Sequence, residues 1–468
     1  CGPLAPDTKA GQLAISDAPG MRTVLAFAIR LPEEAVGPVA AASDIQHVFG
    51  VGYGRAMHHI LLRLARRVED CGYHAASYTG ALPPAHRPEV SAFAAMAGLG
   101  RLGTDGVLET AEFGRNVMAG AITTDAPLDP SPATSAAYPA PAPRPAPRPA
   151  RLRAELESAA RENLASLFGV AGAEVFDQLV EDLRAHVDER LLGEMVVDDN
   201  PYPHGPFLAR VVREEKRIRR PRDLLTGARS VIVLGMHFPR ALMESAGNFE
   251  RAQIGTYAFH QYETTFELRF AAVELVKKLN AAGYRAVPTE NLTGIGSMVA
   301  SHRGLLPDAR CNAIEAVAAG LGRLGRSGAL LTPEYGPHQR VIAIVTDAEL
   351  PRDAVQDGAW PCQNCRLCIE ACPMTALAGD GFEVRVNGTR VWHPEIDRHR
   401  CDWSKRYALC KEEGPALIGN KTDVPKPEGR ITIEMIAEGC RLRDPIMKSR
   451  PCILETCLKV CPAKGVAG

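Results

Sequence analysis

Residues 362 to 373 read CQNCRLCIEACP, which places Cys362, Cys365, Cys368 and Cys372 at x2, x2 and x3 spacings ahead of Pro373. Three thiolates at the first two spacings can wrap one iron–sulfur cubane, while the fourth points away and joins a neighbouring cluster. Zinc ordinarily takes two separated cysteine pairs, and buried structural thiols have no reason to keep four fixed spacings and a closing proline. A second run, Cys452-x4-Cys457-x3-Cys461-Pro462, lies near the end of the chain. Crosswise ligation assigns Cys461 to the first [4Fe–4S] cluster with Cys362, Cys365 and Cys368. The second cluster then takes Cys372, Cys457, Cys452 and one more cysteine, for which Cys401, Cys410 and Cys440 compete. The C-terminal part must therefore fold so that two distant cysteine runs meet.

The length of 468 residues sets a prior of two or three domains, and 46% apolar residues suffice for ordinary cores. Lys plus Arg at 54 against Asp plus Glu at 55 gives a formal charge of -1, which offers no field to a polyanion and disfavours nucleic acid as the main partner. No run of uncharged apolar residues is long enough for a membrane span. The first twenty residues have neither a basic start nor an apolar stretch, so no export signal is expected. Cysteines at metal-site rather than disulfide spacing fit a reducing, cytoplasmic compartment. No nicotinamide or flavin fingerprint is present, which implies an external electron donor such as a ferredoxin, a flavodoxin or a reductase. A closed homodimer is the default assembly.

Residues 126 to 150 end in PAPAPRPAPRPA, an extended linker by composition. Residues 151 to 168 and 172 to 196 read as helices by period, and a Pro-rich turn follows at 200 to 206. Beyond it, SVIVLGM (230 to 236) and VIAIVT (341 to 346) read as strands, and 262 to 282 and 310 to 321 as helices. This alternation implies an α/β sheet with helices on its faces.

An internal repeat underlies that region. AGLGRLG occurs at 97 to 103 and again at 319 to 325, and the same offset of 222 pairs Gly106 with Gly328, Thr110 with Thr332, Gly114 with Gly336 and Thr124-Asp125 with Thr346-Asp347. Upstream, Gly72-Tyr73 matches Gly283-Tyr284, and TVLAFAIRLP matches SVIVLGMHFP, at offsets of 211 and 207 that loop insertions would produce. The expected organisation is a degenerate copy of an α/β unit over 1–130, a Pro-rich linker and helices over 131–204, the second copy over 205–355, and a two-cluster, ferredoxin-like segment over 356–468.

The second copy and the cysteines together resemble the cobalamin-dependent reductive dehalogenases and their relatives, the epoxyqueuosine reductases. The stretches that carry this are ARSVIVLGMHFP (228 to 239), AAGYRAVP (281 to 288), AGLGRLGRSGALLTPEYGPHQRVIAIVTDAELP (319 to 351) and the two Cys-Pro runs. The resemblance implies base-off cobalamin bound by the α/β unit beside the first cluster. It also implies Cys401, which follows Arg400, as the remaining ligand of the second cluster. The dehalogenase branch fits better: a first copy is present, and the stretch LLPDARCNAIEA (305 to 316), with Asp308 displaced, lacks a clear form of the DSxPVxE-like segment of the other branch. The implied reaction is reductive removal of halide from a small organohalide, with haloaromatics as the substrate guess; reduction of another electrophile or plain electron carriage are the alternatives.

A corrin needs close backbone approach, which Gly294, Gly296, Ser297, Gly322, Gly325 and Gly328 can offer. Glu334 and Tyr335 are expected to shape the pocket wall, and His302 to donate to corrin or substrate. The carbon that loses halide also needs a proton. A tyrosine supplies it if a cation holds the resulting phenolate. The resemblance points to Tyr262, with Tyr257 second, and Arg326 is the expected cation; Thr104 occupies its place in the first copy.

Overall fold

The computed structural model of the protein describes residues 1–5, 7–17, 20–37, 43–80, 88–129, 147–198, 209–245, 254–301, 304–357, 362, 365–377, 379–405, 427–442 and 455–463. Two compact units result: Cys1–Pro147 with Val276–Val287, and Arg148–Leu275 with Pro288–Gly468. Both are mixed α/β. No helix among the described residues is long and apolar enough to cross a membrane.

In the first unit an antiparallel sheet runs in the order Gly2–Pro3, Thr23–Arg30, Val117–Thr124, Ala75–Thr79. Every residue of Val117–Thr124 is buried, as a strand covered on both faces requires. The helix Ser43–Asp70 lies so close to this strand that a Cβ on Gly120 would sit 2.3 Å from the Met57 sulfur. Helix Pro88–Met96 covers the sheet too, and Phe93 meets Leu4, Ala14, Val24 and Ala121 in one core.

The second unit repeats these elements. Ser230–His237 pairs antiparallel with Gln339–Thr346, from Ser230↔Thr346 to His237↔Gln339, where the first unit has Thr23↔Thr124 to Arg30↔Val117. Arg323–Leu324 pairs with Leu330–Leu331 as Arg101–Leu102 pairs with Leu108–Glu109. The bridges Thr332↔Gly336 and Thr110↔Gly114 correspond as well, and so do the 28-residue helices Ile254–Ala281 and Ser43–Asp70. Positive φ recurs at Gly106 and Gly328, where the tight turn of each hairpin excludes a Cβ-bearing residue.

One expectation is corrected here. Residues 151 to 168 are not a single helix: Pro149–Glu162 is helical, and Leu167–Gly172 is a strand antiparallel to Ser230–His237. The helix stops at Asn163, Leu164 turns at φ +67°, and the apolar run LFGVAG is then short enough to be buried as a strand. Likewise 172 to 196 divides into the helices Val175–Arg184 and Glu189–Leu192 and the start of the strand Glu194–Asp198. That strand pairs with Ala209–Arg213.

The cysteine-bearing part of the second unit is built from short pieces: helices Leu367–Glu370, Arg398–Trp403, Ile433–Leu442 and Thr456–Lys459, and the hairpin Phe382–Val386 with Thr389–His393. A core of Val196, Met374, Trp403, Ile431, Ile433 and Ile436 joins it to the Glu194–Asp198 hairpin.

Candidate functional site

Four of the expected cluster cysteines converge. Cys368 lies in the helix Leu367–Glu370, and the nearby charges of Cys362, Cys461 and Cys365, after burial itself, push its thiol up to about 11. Cys461 in turn feels Cys362 and Cys365. Cys461 follows the helix Thr456–Lys459, which packs against Leu367–Glu370, so the two distant runs meet through paired short helices. The backbone N–H of Arg326 donates to Cys362 Sγ at 3.4 Å, and the Arg326 guanidinium lies 5.2 Å over the Trp392 ring.

A second group lines a small cavity of about 50 Å³, whose walls include Cys372, Cys401 and Cys457. Burial raises the Cys457 thiol well above its ordinary value, and Glu455, Cys401, Cys368 and Cys372 add to this. Burial also raises Cys401, against the pull of Arg310 and Lys405. Such thiols become ligands when a cationic centre binds the thiolate and displaces the proton to solvent, which inverts the local preference. Among the described residues no three Cys, His, Asp or Glu close tightly enough on one point to hold a single ion. The x2, x2 and x3 spacings of the first run are those of cluster ligands rather than of two separated zinc pairs. Cys452 and Cys410 lie outside the described residues, as does the side chain of Cys440.

A larger cavity of about 670 Å³ shares Arg310, Ala376 and Ile396 with the walls of the smaller one. Ile295, Ile314, Leu324 and Gly328 line one part of it, and Phe382, Ile396, Arg398 and Arg400 another. The rings of His186, Phe382 and His393 stack in series at 4.3 and 4.9 Å along its wall. Burial lowers His393 to about 4, so it is a neutral imidazole at neutral pH. The volume lies within the range of small-molecule and cofactor sites. Its mixture of apolar side chains and cationic donors fits a macrocycle with amide side chains.

The expected corrin-contacting residues divide. Gly328 borders the large cavity, as does Ile295 between Gly294 and Gly296. Gly294 has φ +85°, and a Cβ on Gly296 would meet Cys311 Sγ at 2.5 Å. Ser297 Oγ donates to Asp402 Oδ1 at 2.6 Å. Gly322 is required by its own hairpin, since a Cβ there would strike the Leu331 carbonyl oxygen at 2.3 Å, while a Cβ on Gly325 would crowd the Leu331 side chain at 3.0 Å. Tyr335 stacks on His237 at 4.3 Å, and Glu334 is exposed. Tyr262 is half-buried against Leu306. Tyr257 lies in the helix Ile254–Ala281, but its side chain is outside the described residues, as is His302.

Sequence reading missed a set of buried ions around the smaller cavity. Asp308 accepts from Arg310 Nε at 2.8 Å and from Lys405 Nζ at 3.0 Å, and Lys405 also pairs with Asp402 at 3.1 Å. Arg340 pairs with Glu455 nearby. Asp402 follows Cys401 directly and Lys405 follows it by four residues, which was the available signal.

No protein-family model matches the chain. The tetrachloroethene reductive dehalogenase of Desulfitobacterium hafniense is 31% identical over 176 residues, 35% of this chain and 28% of that protein. The epoxyqueuosine reductase of Lactococcus garvieae (strain Lg2) is 27% identical over 177 residues, 36% of this chain and 44% of that protein. The chain is a homologue of both groups. The match spans less than half the length of either relative. A solved catabolic reductive dehalogenase in complex with 3-bromo-4-hydroxybenzoic acid aligns at a TM-score of 0.33 and 15% identity, over 94% of this chain and 72% of that one; a likeness of that degree carries no argument about the site.

Proposed function

We propose that the chain is a cobalamin- and iron–sulfur-dependent reductase that removes halide from a small organohalide. The observation that carries this is the sorting of the cysteines: Cys362, Cys365, Cys368 and Cys461 in one group, Cys372, Cys401 and Cys457 around a cavity of their own, and a cavity of about 670 Å³ that shares Arg310, Ala376 and Ile396 with the latter. The first group would hold one [4Fe–4S] cluster and the second, with Cys452, another. The residues around Ile295 and Gly328 would hold base-off cobalamin by close backbone approach, with Arg398 and Arg400 donating to its periphery. Such a cofactor supplies strongly reducing electrons for breaking a carbon–halogen bond, and the clusters bring those electrons singly from an external ferredoxin, flavodoxin or reductase.

Around this, the chain's own groups handle the proton. Tyr262 Oη would donate to the carbon that loses halide, with Tyr257 as the second candidate. Arg326, whose main chain touches Cys362, would place a cation close to the first cluster and favour the phenolate left behind. Haloaromatics are the proposed substrate class.

The first unit is read as a degenerate copy of the second. The matching registers and hairpins support this, as does Thr104 in the place of Arg326.

The test is metal content after anaerobic production with cobalamin supplied. About eight iron and one cobalt per chain are expected from two four-iron clusters and one corrinoid, together with halide release from aryl halides. Iron at that level without cobalt would overturn dehalogenation and leave an electron carrier. The match to 44% of an epoxyqueuosine reductase favours a second reading, reduction of another electrophile on the same framework. Bound cobalt without activity on any organohalide would select it.

A further inference from the structure

The buried ions around the smaller cavity form one closed network, and the chemistry proposed above leaves it without a role. Asp308 is 3% exposed, and its Oδ1 accepts from the backbone N–H groups of Arg310 at 3.0 Å and Ser297 at 3.3 Å, while Oδ2 holds Arg310 and Lys405. Lys405 is 4% exposed and follows Cys401 by four residues. Its second carboxylate, Asp402, is fixed by Ser297 Oγ. Asp308, Arg310 and Lys405 border the same cavity as Cys372, Cys401 and Cys457. Solvent screens such buried charges little.

We propose that Lys405 and Arg310 set the reduction potential of the cluster held by Cys372, Cys401 and Cys457, with Asp402 as the opposing lever. This rests on the two-cluster reading. Reducing that cluster adds one electron and one negative charge, taken from the donor; fixed cations beside a ligand thiolate stabilise the added charge, and a carboxylate opposes it. Lys405 and Asp402 are thus positioning residues for electron transfer and touch no substrate.

The experiment is a potentiometric titration of the anaerobic full-length protein, reductant added stepwise and both clusters followed by EPR, for the wild type, Lys405→Met, Lys405→Arg and Asp402→Asn. Lys405→Met should lower the second potential by at least a tenfold change in the reduced-to-oxidised ratio, about 59 mV for one electron. Asp402→Asn should raise it, Lys405→Arg should stay near the wild type, and the first cluster should not move. Should Lys405→Met fail to hold iron, the opposite-sign response of Asp402→Asn decides. Unchanged potentials, or shifts of the same sign in Lys405→Met and Asp402→Asn, at full iron content would overturn the proposal and leave the two-cluster reading standing. A wild type with about four iron and one EPR signal would instead overturn both.

Discussion

Glu290→Gln should destabilise the second unit far more than an isosteric change of one side chain normally does. Arg269, on the helix Ile254–Ala281, is 0% exposed, and its Nε and Nη2 each donate at 2.8 Å to one oxygen of Glu290, itself 2% exposed. Its guanidinium also lies 5.3 Å over Phe266. The amide keeps the volume and one acceptor but strands a buried cation. Breaking a buried pair from one side costs about 3–5 kcal/mol. At roughly 2–4 °C per kcal/mol for a large domain, the unfolding midpoint should fall by on the order of 10 °C. Chemical denaturation of the wild type, Glu290→Gln, Arg269→Met and the double variant measures it. The double variant should recover much of the loss, because no uncompensated charge remains, and the cycle should give a coupling of at least about 1 kcal/mol. A loss below about 1 kcal/mol in Glu290→Gln, or double-variant costs that simply add, would refute the reasoning. The pair also bears on function: it ties the helix that carries Tyr262 to the segment leading into Gly294–Ser297, so Glu290→Gln should lower turnover at temperatures where the fold survives.

Cys401→Ser should reduce bound iron from about eight to about four per chain and remove one of two EPR signals, whereas Cys410→Ser should leave both; elemental analysis and EPR decide. Tyr262→Phe should lower kcat for halide release by about 10²-fold or more, as expected for loss of a general acid, with cobalt and iron unchanged; halide release by ion chromatography checks it, and if Tyr257→Phe alone is impaired the assignment moves to Tyr257. Glu315 is fully buried, and desolvation raises its carboxyl despite hydrogen bonds from Thr293. A raised folded value means that its stabilising contribution is full below the ordinary carboxylate range and is lost as pH rises through the folded value. The stability difference of Glu315→Gln relative to wild type should therefore shift in the variant's favour between pH 4 and pH 8, as measured by denaturation midpoints at each pH.

The α/β elements were legible because their punctuation is chemical. AGLGRLG recurs at a fixed offset and so marks the two copies before any coordinates; in the structure each copy opens a hairpin whose glycines meet neighbouring chain or take positive φ. The β-branched runs at 230 and 341 declare strands buried on both faces. Leu167–Gly172 hid for the opposite reason: LFGVAG has few β-branched residues and follows a strong helical period, and only its neighbour in the sheet makes it a strand. The cysteine spacings were legible as a ligand pattern, since such spacing is local geometry, while the sharing of these ligands between two clusters is a proposal. The ions beside Cys401 were not, because Asp308 and Lys405 stand 97 residues apart and no local pattern links a carboxylate on one segment to an ammonium on another.

The differences between the two repeated α/β units bear on why only one of them would carry chemistry. At the offset of 211, His58 and Thr79 occupy the places of Arg269 and Glu290, so the first unit has no counterpart of the buried pair. At the offset of 222, Thr104 replaces Arg326. The strand registers and hairpins nevertheless agree between the two. What the first unit retains is thus the glycine and strand framework, and what it lacks are the charged side chains at the positions tied to Tyr262 and to Cys362. Glycine and β-branched positions are enforced by the backbone itself wherever the unit folds. A buried ion pair, by contrast, is costly to assemble and is readily replaced by neutral groups without loss of the fold. Its presence in the second unit alone fits a requirement for a fixed helix under Tyr262, so installing Arg and Glu at positions 58 and 79 should add no activity to the first unit.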